Sequence, residues 1–354
     1  MGEIMKKLLI LLCAVASLSV TACKKDAKEI QKIIDILGLK APDAPKSFGK
    51  NPPKITNDLF DHFYVGKDSA GVKISLSVYT EDQADFQWYS GTVGGYWGPV
   101  ETTNNSLTVT VEQGVSYYIL ELKSKDGKSR AYSNVCKIEC GTDVTSNIGK
   151  IAMYNRSTKE FSISGSITYP SPDVGPVGIV CDVNDDGSPK SVVHYSLIFN
   201  RSWAANDAEG KTMLFDFNSL CGEGNYQILK DNVNDATVSG MYPAFECCTG
   251  VNKIYDGVPN IIKWYLPSEY EMMTALINSE SINPSIQKFP SNNNSNFLTP
   301  YTLANDACWT SSMKKNKGYA TLVKNIFYSG TYEVFSKGES MGSENYVRPF
   351  CKYE

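Results

Sequence analysis

The segment KWYLPSEYEM, residues 263–272, decides how the C-terminal part of the chain folds. Pro267 is a poor residue for a helix interior but suits the position just before a helix start, and Ser268 with Glu271 forms an S-x-x-E capping box. The sequence therefore predicts a helix that begins at about Glu269. The apolar residues that follow recur at helical spacing and predict one buried face: Met272, Met273, Leu276 and Ile277.

After this helix the sequence takes on the pattern of short strands. Three runs of β-forming residues lie at 319–327, 332–336 and 346–353, beyond a polar, proline-containing loop. Ser329-Gly330 and the stretch 337–344 separate the runs. Such spacing is typical of an antiparallel meander.

Four segments in order carry a family resemblance: GPVGIVCDVNDDG at 175–187, WYLPSEYEM at 264–272, CWTSS at 308–312 and YVRPF at 346–350. Together they resemble the C-type-lectin-like domain of bacterial surface proteins. They are similar to the Fibrobacter-type major paralogous domains and to the C-terminal domain of the Legionella collagen-like adhesin. The resemblance implies an α+β C-type-lectin-like ligand-binding domain over residues 146–354.

The resemblance also carries expectations about single residues. Tyr265 stands where the family usually has arginine, so the ion pair of that arginine is not expected here. In this fold a helix cysteine often bridges to the final strand, which implies a disulfide from Cys247 or Cys248 to Cys351. Because the exported chain retains an even number of cysteines, other pairings stay open.

Residues 55–142 alternate in short strands separated by turn signals. Trp88 stands where a sandwich of the immunoglobulin type has its core tryptophan, and the pattern resembles an immunoglobulin-like β-sandwich. Leu120 takes the place of the second core cysteine, so aliphatic packing must replace the inter-sheet bridge. The predicted fold class is mainly β, with this sandwich as a spacer before the lectin-like domain.

The N-terminus has the pattern of a bacterial lipoprotein signal. Lys6 and Lys7 precede an apolar run at 8–20, which is short for a membrane span and leads to Cys23. We expect residues 1–22 to be removed as a signal peptide and Cys23 to be acylated, which would attach the protein to outer-membrane lipid. An uncleaved transmembrane helix is the alternative, and two lysines directly after the cysteine disfavour it.

Residues 23–54 are predicted to form a lipid anchor and stalk. The charged run KKDAKE after the cysteine resembles the short signal that sends lipoproteins of Bacteroidetes to the cell surface. Four prolines between Pro42 and Pro53 predict stiff, extended chain. The expected location is the outer membrane, with the protein facing outward.

Charge and ligand chemistry exclude several classes of function. The formal net charge is −4, which disfavours nucleic acid as a general partner. The run from Asp182 to Gly187 matches the front half of a calcium loop, but the twelfth position is Val193, which cannot close the coordination shell. A tight hairpin turn explains the same residues better. With only two histidines and no CxxC pair, we expect no metal site and no cofactor.

No catalytic residues are expected either. The sequence has no nucleophile elbow and no Ser-His-Asp set. The formylglycine-generating oxidase, an enzyme of the lectin-like fold, uses two late cysteines. Cys308 and Cys351 are the late pair here, and we expect neither to have a nearby basic partner that would favour its thiolate, so a structural disulfide or a buried thiol is the better interpretation.

The final meander supplies the candidate binding face, because it mixes aromatic rings with amide and hydroxyl groups. Trp309 is predicted to belong to the core. The candidate ligand-binding residues are Ser311, Ser312, Lys314, Asn316, Tyr328, Tyr332, Glu344, Asn345 and Tyr346.

The sequence thus predicts an adhesin-like surface lipoprotein whose C-terminal domain binds a glycan or a protein without catalysis. One alternative is an accessory or tip subunit of a pilus. The other is an enzyme like the formylglycine-generating oxidase.

Overall fold

A computed structural model describes residues 36–167, 169–205, 217, 220–233, 240–254, 262–290, 300–303, 307–314, 319–328 and 331–354. Of these residues, 44% lie in strands and 19% in helices, so the described fold is mainly β, as the sequence predicts. The predicted signal peptide and Cys23, the predicted site of acylation, lie outside the described residues. Within them, no helix combines the length and the apolar character that a membrane crossing requires.

The strands follow one another along the chain as β1 (Ile55–Asn57), β2 (His62–Val65), β3 (Lys73–Ser77), β4 (Tyr79–Thr80), β5 (Ala84–Thr92), β6 (Gly98–Val100), β7 (Ser106–Thr110), β8 (Gly114–Ser124), β9 (Arg130–Tyr132), β10 (Cys136–Cys140), β11 (Ile151–Asn155), β12 (Glu160–Ser164), β13 (Val174–Val183), β14 (Pro189–Val193), β15 (Ile198–Ser202), β16 (Ala307–Lys314), β17 (Tyr319–Tyr328), β18 (Thr331–Ser340), β19 (Glu344–Val347) and β20 (Phe350–Lys352). The α-helices are α1 (Gly222–Asn232), α2 (Pro243–Ile254), α3 (Glu269–Ile277) and α4 (Ser279–Ile286).

The chain divides into two compact units that interleave in sequence. The described part of unit 1 comprises residues 36–56, 80–103 and 117–135. Unit 2 takes the described residues of 57–79, 104–116 and 136–354. Residues of the predicted sandwich, 55–142, therefore occur in both units, and the immunoglobulin-like topology stays a prediction.

In unit 1, β5 lies between β6 and β8, and β9 pairs with the end of β8. Trp88 and Leu120, which the sequence places in the core, are both fully buried. Glu121 of β8 forms a buried ion pair with Arg130 of β9, and the hydroxyl of Tyr89 donates to the same carboxylate at 2.9 Å. The second carboxylate oxygen thus has a donor, which limits the desolvation cost of burying the charge.

Part of the predicted stalk belongs to unit 1. The backbone of Phe48 exchanges hydrogen bonds of 2.9 and 3.0 Å with that of Arg130. The indole of Trp97 donates to the carbonyl of Asp43 at 2.8 Å. The stretch that contains these residues is therefore packed against the unit rather than projecting from it.

Unit 2 contains two larger sheets. One has the strand order β12-β11-β13-β14-β20 and the other β15-β19-β16-β17-β18-β3-β7. The antiparallel pairing of β17 with β18, from Tyr319↔Ser340 to Tyr328↔Thr331, confirms the predicted pairing of the first two runs. The third run does not continue the meander, because β19 pairs with β15 and β16 and β20 pairs with β14 in the other sheet. β3 and β7 extend the sheet of β17 and β18, since Lys73 of β3 pairs with Glu333 of β18.

Large aromatic residues form the core of unit 2. Trp203 and Trp309 are fully buried in one apolar cluster, so the prediction that Trp309 is a core residue is confirmed. The ring of Trp203 meets that of Phe245 edge to face, with centroids 5.2 Å apart. The indole of Trp203 also donates to the carbonyl of Thr310 at 2.6 Å, so the buried polar atom is satisfied.

The predicted helix start is confirmed. α3 begins at Glu269, the backbone N–H of Glu271 donates to the Ser268 hydroxyl at 3.2 Å, and the Glu271 carboxylate accepts from the backbone N–H of Ser268 at 2.7 Å. That carboxylate also accepts from the Tyr265 hydroxyl at 2.8 Å and from the backbone N–H of Gly222 at 3.0 Å. Tyr265, whose position the resemblance would give to arginine, therefore supplies Glu271 with a hydrogen-bond donor.

Changing Ser268 to alanine is expected to lower the free energy of unfolding by about 1–2 kcal/mol, because the N–H of Glu271 loses its acceptor in a buried site. Urea denaturation followed by circular dichroism measures the change. Ser162→Ala, at an exposed position of β12, is the matched control and should change stability by less than about 0.5 kcal/mol. Equal effects of the two changes would contradict the assigned capping role.

Candidate functional site

A groove of about 540 Å³ opens in unit 2 beside β15, β19 and α2. Helix α2 turns Phe245, Cys248 and Val251 into the core at helical spacing. The opposite face of the helix is left for the groove. Among the described residues, the polar ones that line the groove are Asn200, Arg201, Ser202, Glu246, Cys247 and Glu344.

An irregularity in β15 shapes one wall of this groove. Ile198 pairs with Val347 and Arg201 pairs with Asn345, so two residues of β15 stand opposite the single residue Tyr346. One of the two is Asn200, whose φ of +53° lies in the left-handed region that asparagine tolerates better than most residues. Bulges of this kind redirect side chains at sheet edges and near functional sites.

The bulge places Phe199 in an exposed aromatic cluster, which consists of Phe199, Tyr301 and Tyr346. The ring centroid of Phe199 lies 5.4 Å from that of Tyr301 and 5.5 Å from that of Tyr346, both edge to face. Phe199 is 43% exposed and Tyr301 36%. Glu344 and Tyr346 alternate with Asn345 along β19, so they project to the same side of the strand and connect the cluster with the groove.

The charged groups that line the groove, counted over the described residues, are one guanidinium and two carboxylates. Arg201 donates from Nη1 to its neighbour's carbonyl, that of Asn200, at 3.1 Å, and among the described residues it forms no ion pair. Glu344 and Glu246 are both exposed. The groove therefore offers hydrogen-bond donors and acceptors together, with an excess of one negative charge.

The backbone of β15 is held by core residues at this point. The indole of Trp309 donates to the carbonyl of Arg201 at 2.8 Å, and the backbone N–H of Trp203 donates to the carbonyl of Met341 at 2.9 Å. Both tryptophans are fully buried. The wall of the groove is thus fixed before any ligand arrives, which lowers the entropy lost on binding.

Some of the residues predicted from the sequence meet here. Glu344 lines the groove and Tyr346 belongs to the aromatic cluster. Asn345 pairs with Arg201 but projects to the side of β19 opposite to Glu344 and Tyr346, so it is not brought into the groove lining or the cluster. Sequence reasoning missed Phe199 and its neighbours on β15. The signal was the run IFNRS, in which an apolar residue is followed by two polar ones, so that apolar and polar residues do not alternate as they do in a regular strand. The strand that pairs with this run cannot be identified from the run itself.

Ser311 and Ser312 lie inside the protein. The side-chain amide of Asn225 donates to the Ser311 hydroxyl at 2.8 Å, and the backbone N–H of Glu269 donates to the Ser312 hydroxyl at 2.9 Å. The residues are 0% and 1% exposed. Their burial removes them from the candidate binding surface.

Three of the other predicted residues belong to the middle strands of the seven-stranded sheet. Tyr332 is half-buried on β18. Lys314 ends β16 and Tyr328 ends β17, and their side chains, like the whole of Asn316, lie outside the described residues. A binding role for these four residues stays a prediction.

The hairpin between β13 and β14 uses the side chains of the calcium-like run in its own turn. Asp186 accepts from the backbone N–H and the hydroxyl of Ser188 at 2.9 and 2.6 Å, which lowers the pKa of Asp186. Asp182 pairs with Lys190 at 2.9 Å, and Asp185 accepts from the Tyr64 hydroxyl at 2.6 Å. The predicted tight hairpin is confirmed.

The disulfide implied by the family resemblance is not formed. Cys247, Cys248 and Cys351 are all free thiols. Cys247 lines the groove, while the thiol of Cys248 donates to the carbonyl of Ala244 at 3.4 Å and therefore has a local partner. Burial raises the pKa values of Cys248 and Cys351, which disfavours their thiolates.

Comparison with known proteins gives few matches. No family model matches the chain, and no curated protein matches it. The crystal structure of a β-1,2-glucanase from Parabacteroides distasonis aligns with 29% of this chain at 16% identity and a TM-score of 0.20. The protein SGBP-B of a Bacteroides ovatus mixed-linkage glucan utilization locus, in complex with a mixed-linkage heptasaccharide, aligns with 38% of it at 12% identity and a TM-score of 0.17. The alignments span 14% of the first protein and 39% of the second, and neither score carries an argument about function.

Proposed function

We propose that this protein is an outer-membrane lipoprotein, held at the cell surface by acylated Cys23, that binds a glycan or protein ligand without converting it. Residues 55–142 form an immunoglobulin-like spacer in this proposal. Residues 146–354 form a C-type-lectin-like domain. The ligand lies in the groove and against the aromatic cluster.

The observation that carries this proposal is the juxtaposition of the groove with the exposed aromatic cluster. A concave site with a few convergent polar groups is the usual form of a ligand pocket, and about 540 Å³ lies within the common range of about 300–1,000 Å³. Exposed apolar rings beside such a site mark interaction surfaces. Phe199 and Tyr346 provide these rings next to Glu344 and Arg201.

Binding rather than catalysis is supported by the state of the cysteines. An enzyme like the formylglycine-generating oxidase would need late thiols that a substrate can reach. Cys308 and Cys351 are 0% and 2% exposed. Cys247, at the groove, donates its thiol hydrogen to the Ala244 carbonyl at 3.3 Å, as a structural cysteine in a helix does.

The test separates anchoring from binding on intact cells. Cells that express the whole chain are stained with a membrane-impermeant antibody and mixed with beads that carry polysaccharides or bacterial surface proteins. We expect wild-type cells to give both signals. Cys23→Ala should remove both, because the protein is no longer held by lipid. Tyr346→Ala should remove only bead binding.

Tyr319→Ala is the matched control, since Tyr319 is 41% exposed but lies on β17, outside the groove. It should leave both signals unchanged. Bead binding that survives Tyr346→Ala would refute the groove as the binding site. Antibody staining only after the outer membrane is opened would refute a surface location. Recovery of the chain in sheared filaments would favour the pilus subunit instead.

A further inference from the structure

We infer that the groove takes a neutral oligosaccharide, with one sugar ring against Phe199 and its hydroxyl groups on Arg201, Glu246 and Glu344. The inference rests on the proposed function and names the ligand class for the same groove. It depends on the proximity of two chemically different surfaces, one aromatic and one hydrogen-bonding.

The aromatic cluster suits the apolar side of a sugar. A pyranose ring has a face of C–H groups whose hydrogens carry slight positive charge, and the face of an aromatic ring carries negative charge. Tyr301 and Tyr346 meet Phe199 edge to face, both at interplanar angles of 87°. These two contacts hold the ring of Phe199 in place, and 43% of the residue is left exposed for contact with a ligand.

The groove suits the hydroxyl groups of the same ligand. Each hydroxyl can donate one hydrogen bond and accept others, so it is matched by a carboxylate on one side and a guanidinium or amide on the other. Glu344 and Glu246 supply acceptors, and Arg201 and Asn200 supply donors. Hydrogen bonds to charged groups are the stronger kind, which favours the selection of a polyhydroxylated ligand.

The charge balance favours a neutral sugar over an acidic one. In the described part of the groove's lining, two carboxylates against one guanidinium leave one excess negative charge. A uronic acid or a sulfate ester would face Glu344 and Glu246 and be repelled, and like-charge contacts of this kind are a common source of specificity. A folded protein is a weaker match, because stable contacts between folded proteins need about 800 Å² on each partner.

The ligand is longer than one sugar. The aromatic cluster lies outside the polar lining of the groove, and β19 connects them through Glu344 and Tyr346. A single ring that packs on Phe199 therefore leaves the polar groups on α2 for a neighbouring sugar. Because core tryptophans hold the backbone of β15, the subsites are expected to keep their spacing in the free protein.

Isothermal titration calorimetry of the purified full-length lipoprotein in detergent tests the inference. The probes are neutral gluco-, manno- and xylo-oligosaccharides, with uronic-acid and sulfated oligosaccharides of equal length beside them. We expect binding of at least one neutral series and weaker or no binding of the acidic ones. Phe199→Ala should weaken binding about tenfold or more, and Glu344→Gln about threefold to tenfold. Tyr319→Ala, the control, should leave the affinity unchanged.

Thermal unfolding of each variant confirms that it folds, and Phe199→Tyr, which keeps the ring, should retain binding. Tighter binding of acidic than of neutral oligosaccharides would overturn the inference. So would a neutral oligosaccharide whose affinity is changed by neither Phe199→Ala nor Glu344→Gln. If no oligosaccharide binds while protein-coated beads are still captured, the inference is wrong and the proposed function stands. If cells capture neither kind of bead, the proposed function itself fails.

Discussion

Replacing Arg348 with alanine is expected to lower the free energy of unfolding by about 3–5 kcal/mol, a large share of the stability of an ordinary domain. Arg348 belongs to the YVRPF segment and is fully buried. Its guanidinium donates to the carbonyls of His194 at 3.2 Å, Tyr301 at 2.8 Å and Thr302 at 3.5 Å. Alanine would leave a cavity and buried carbonyl groups without these donors.

Urea denaturation followed by tryptophan fluorescence measures this loss. Arg156→Ala is the matched control, because Arg156 is exposed and exposed charges contribute about 0–1 kcal/mol. Arg348→Lys should be intermediate, since lysine keeps the charge but cannot span several carbonyls with a planar fork. A loss for Arg348→Ala no larger than that for Arg156→Ala would show that the buried guanidinium does not hold these segments together.

Lowering the pH below 6.5 is expected to destabilise the protein through His194. Burial lowers the pKa of His194 to about 3 from its ordinary value of 6.5, and the nearby Arg348 cation acts in the same direction. Between these two values the unfolded chain holds a proton that the folded chain does not. Stability contributed by the neutral imidazole is therefore complete above pH 6.5 and is lost as the pH falls towards 3.

The expected loss is about 1.4 kcal/mol per pH unit below the unfolded pKa, or about 2 kcal/mol at pH 5. The measurement is the free energy of unfolding of wild type and His194→Asn from pH 7.5 to 5. Asparagine can still accept the hydrogen bond that the backbone N–H of Ser196 donates to Nδ1 of His194 at 3.1 Å, but it does not titrate.

The variant should show a flatter pH profile than wild type in the window from 6.5 to 5. Glu271 acts in the opposite direction at lower pH, because burial raises its pKa and the folded state takes up that proton first. The difference between the two profiles isolates the histidine, since both proteins keep Glu271. If the free energies of unfolding of wild type and variant fell in parallel with pH, groups other than His194 would be responsible for the acid sensitivity.

Local chemistry made some features of the fold predictable. The start of α3 depends on Ser268 and Glu271, which are close in sequence, so a capping box can be recognised without knowing the rest of the structure. The hairpin after Asp182 is likewise set by its own turn residues. Trp309 could be assigned to the core because a large apolar ring is expensive to expose.

Long-range pairing made other features unpredictable. The strand that contains Lys73 pairs with the strand that contains Glu333, and neither segment carries a local sequence signal that identifies its partner. The same holds for the bulge at Asn200, which exists only in relation to Tyr346. The site residues could not all be predicted for the same reason. A strand residue with a hydroxyl, such as Ser311, has the same local sequence whether the hydroxyl contacts solvent or the buried amide of Asn225.

Because core residues hold the backbone of β15, the sequence around the groove can change during evolution while the fold is kept. Main-chain contacts from Trp309 and Trp203 fix the wall at Arg201 and its neighbours, so the outward side chains of Phe199 and Glu344 carry little of the fold's stability. Mutations there can accumulate without loss of a folded protein. Descendants of this chain can therefore drift toward new ligands by exchanging a few outward residues on an unchanged scaffold.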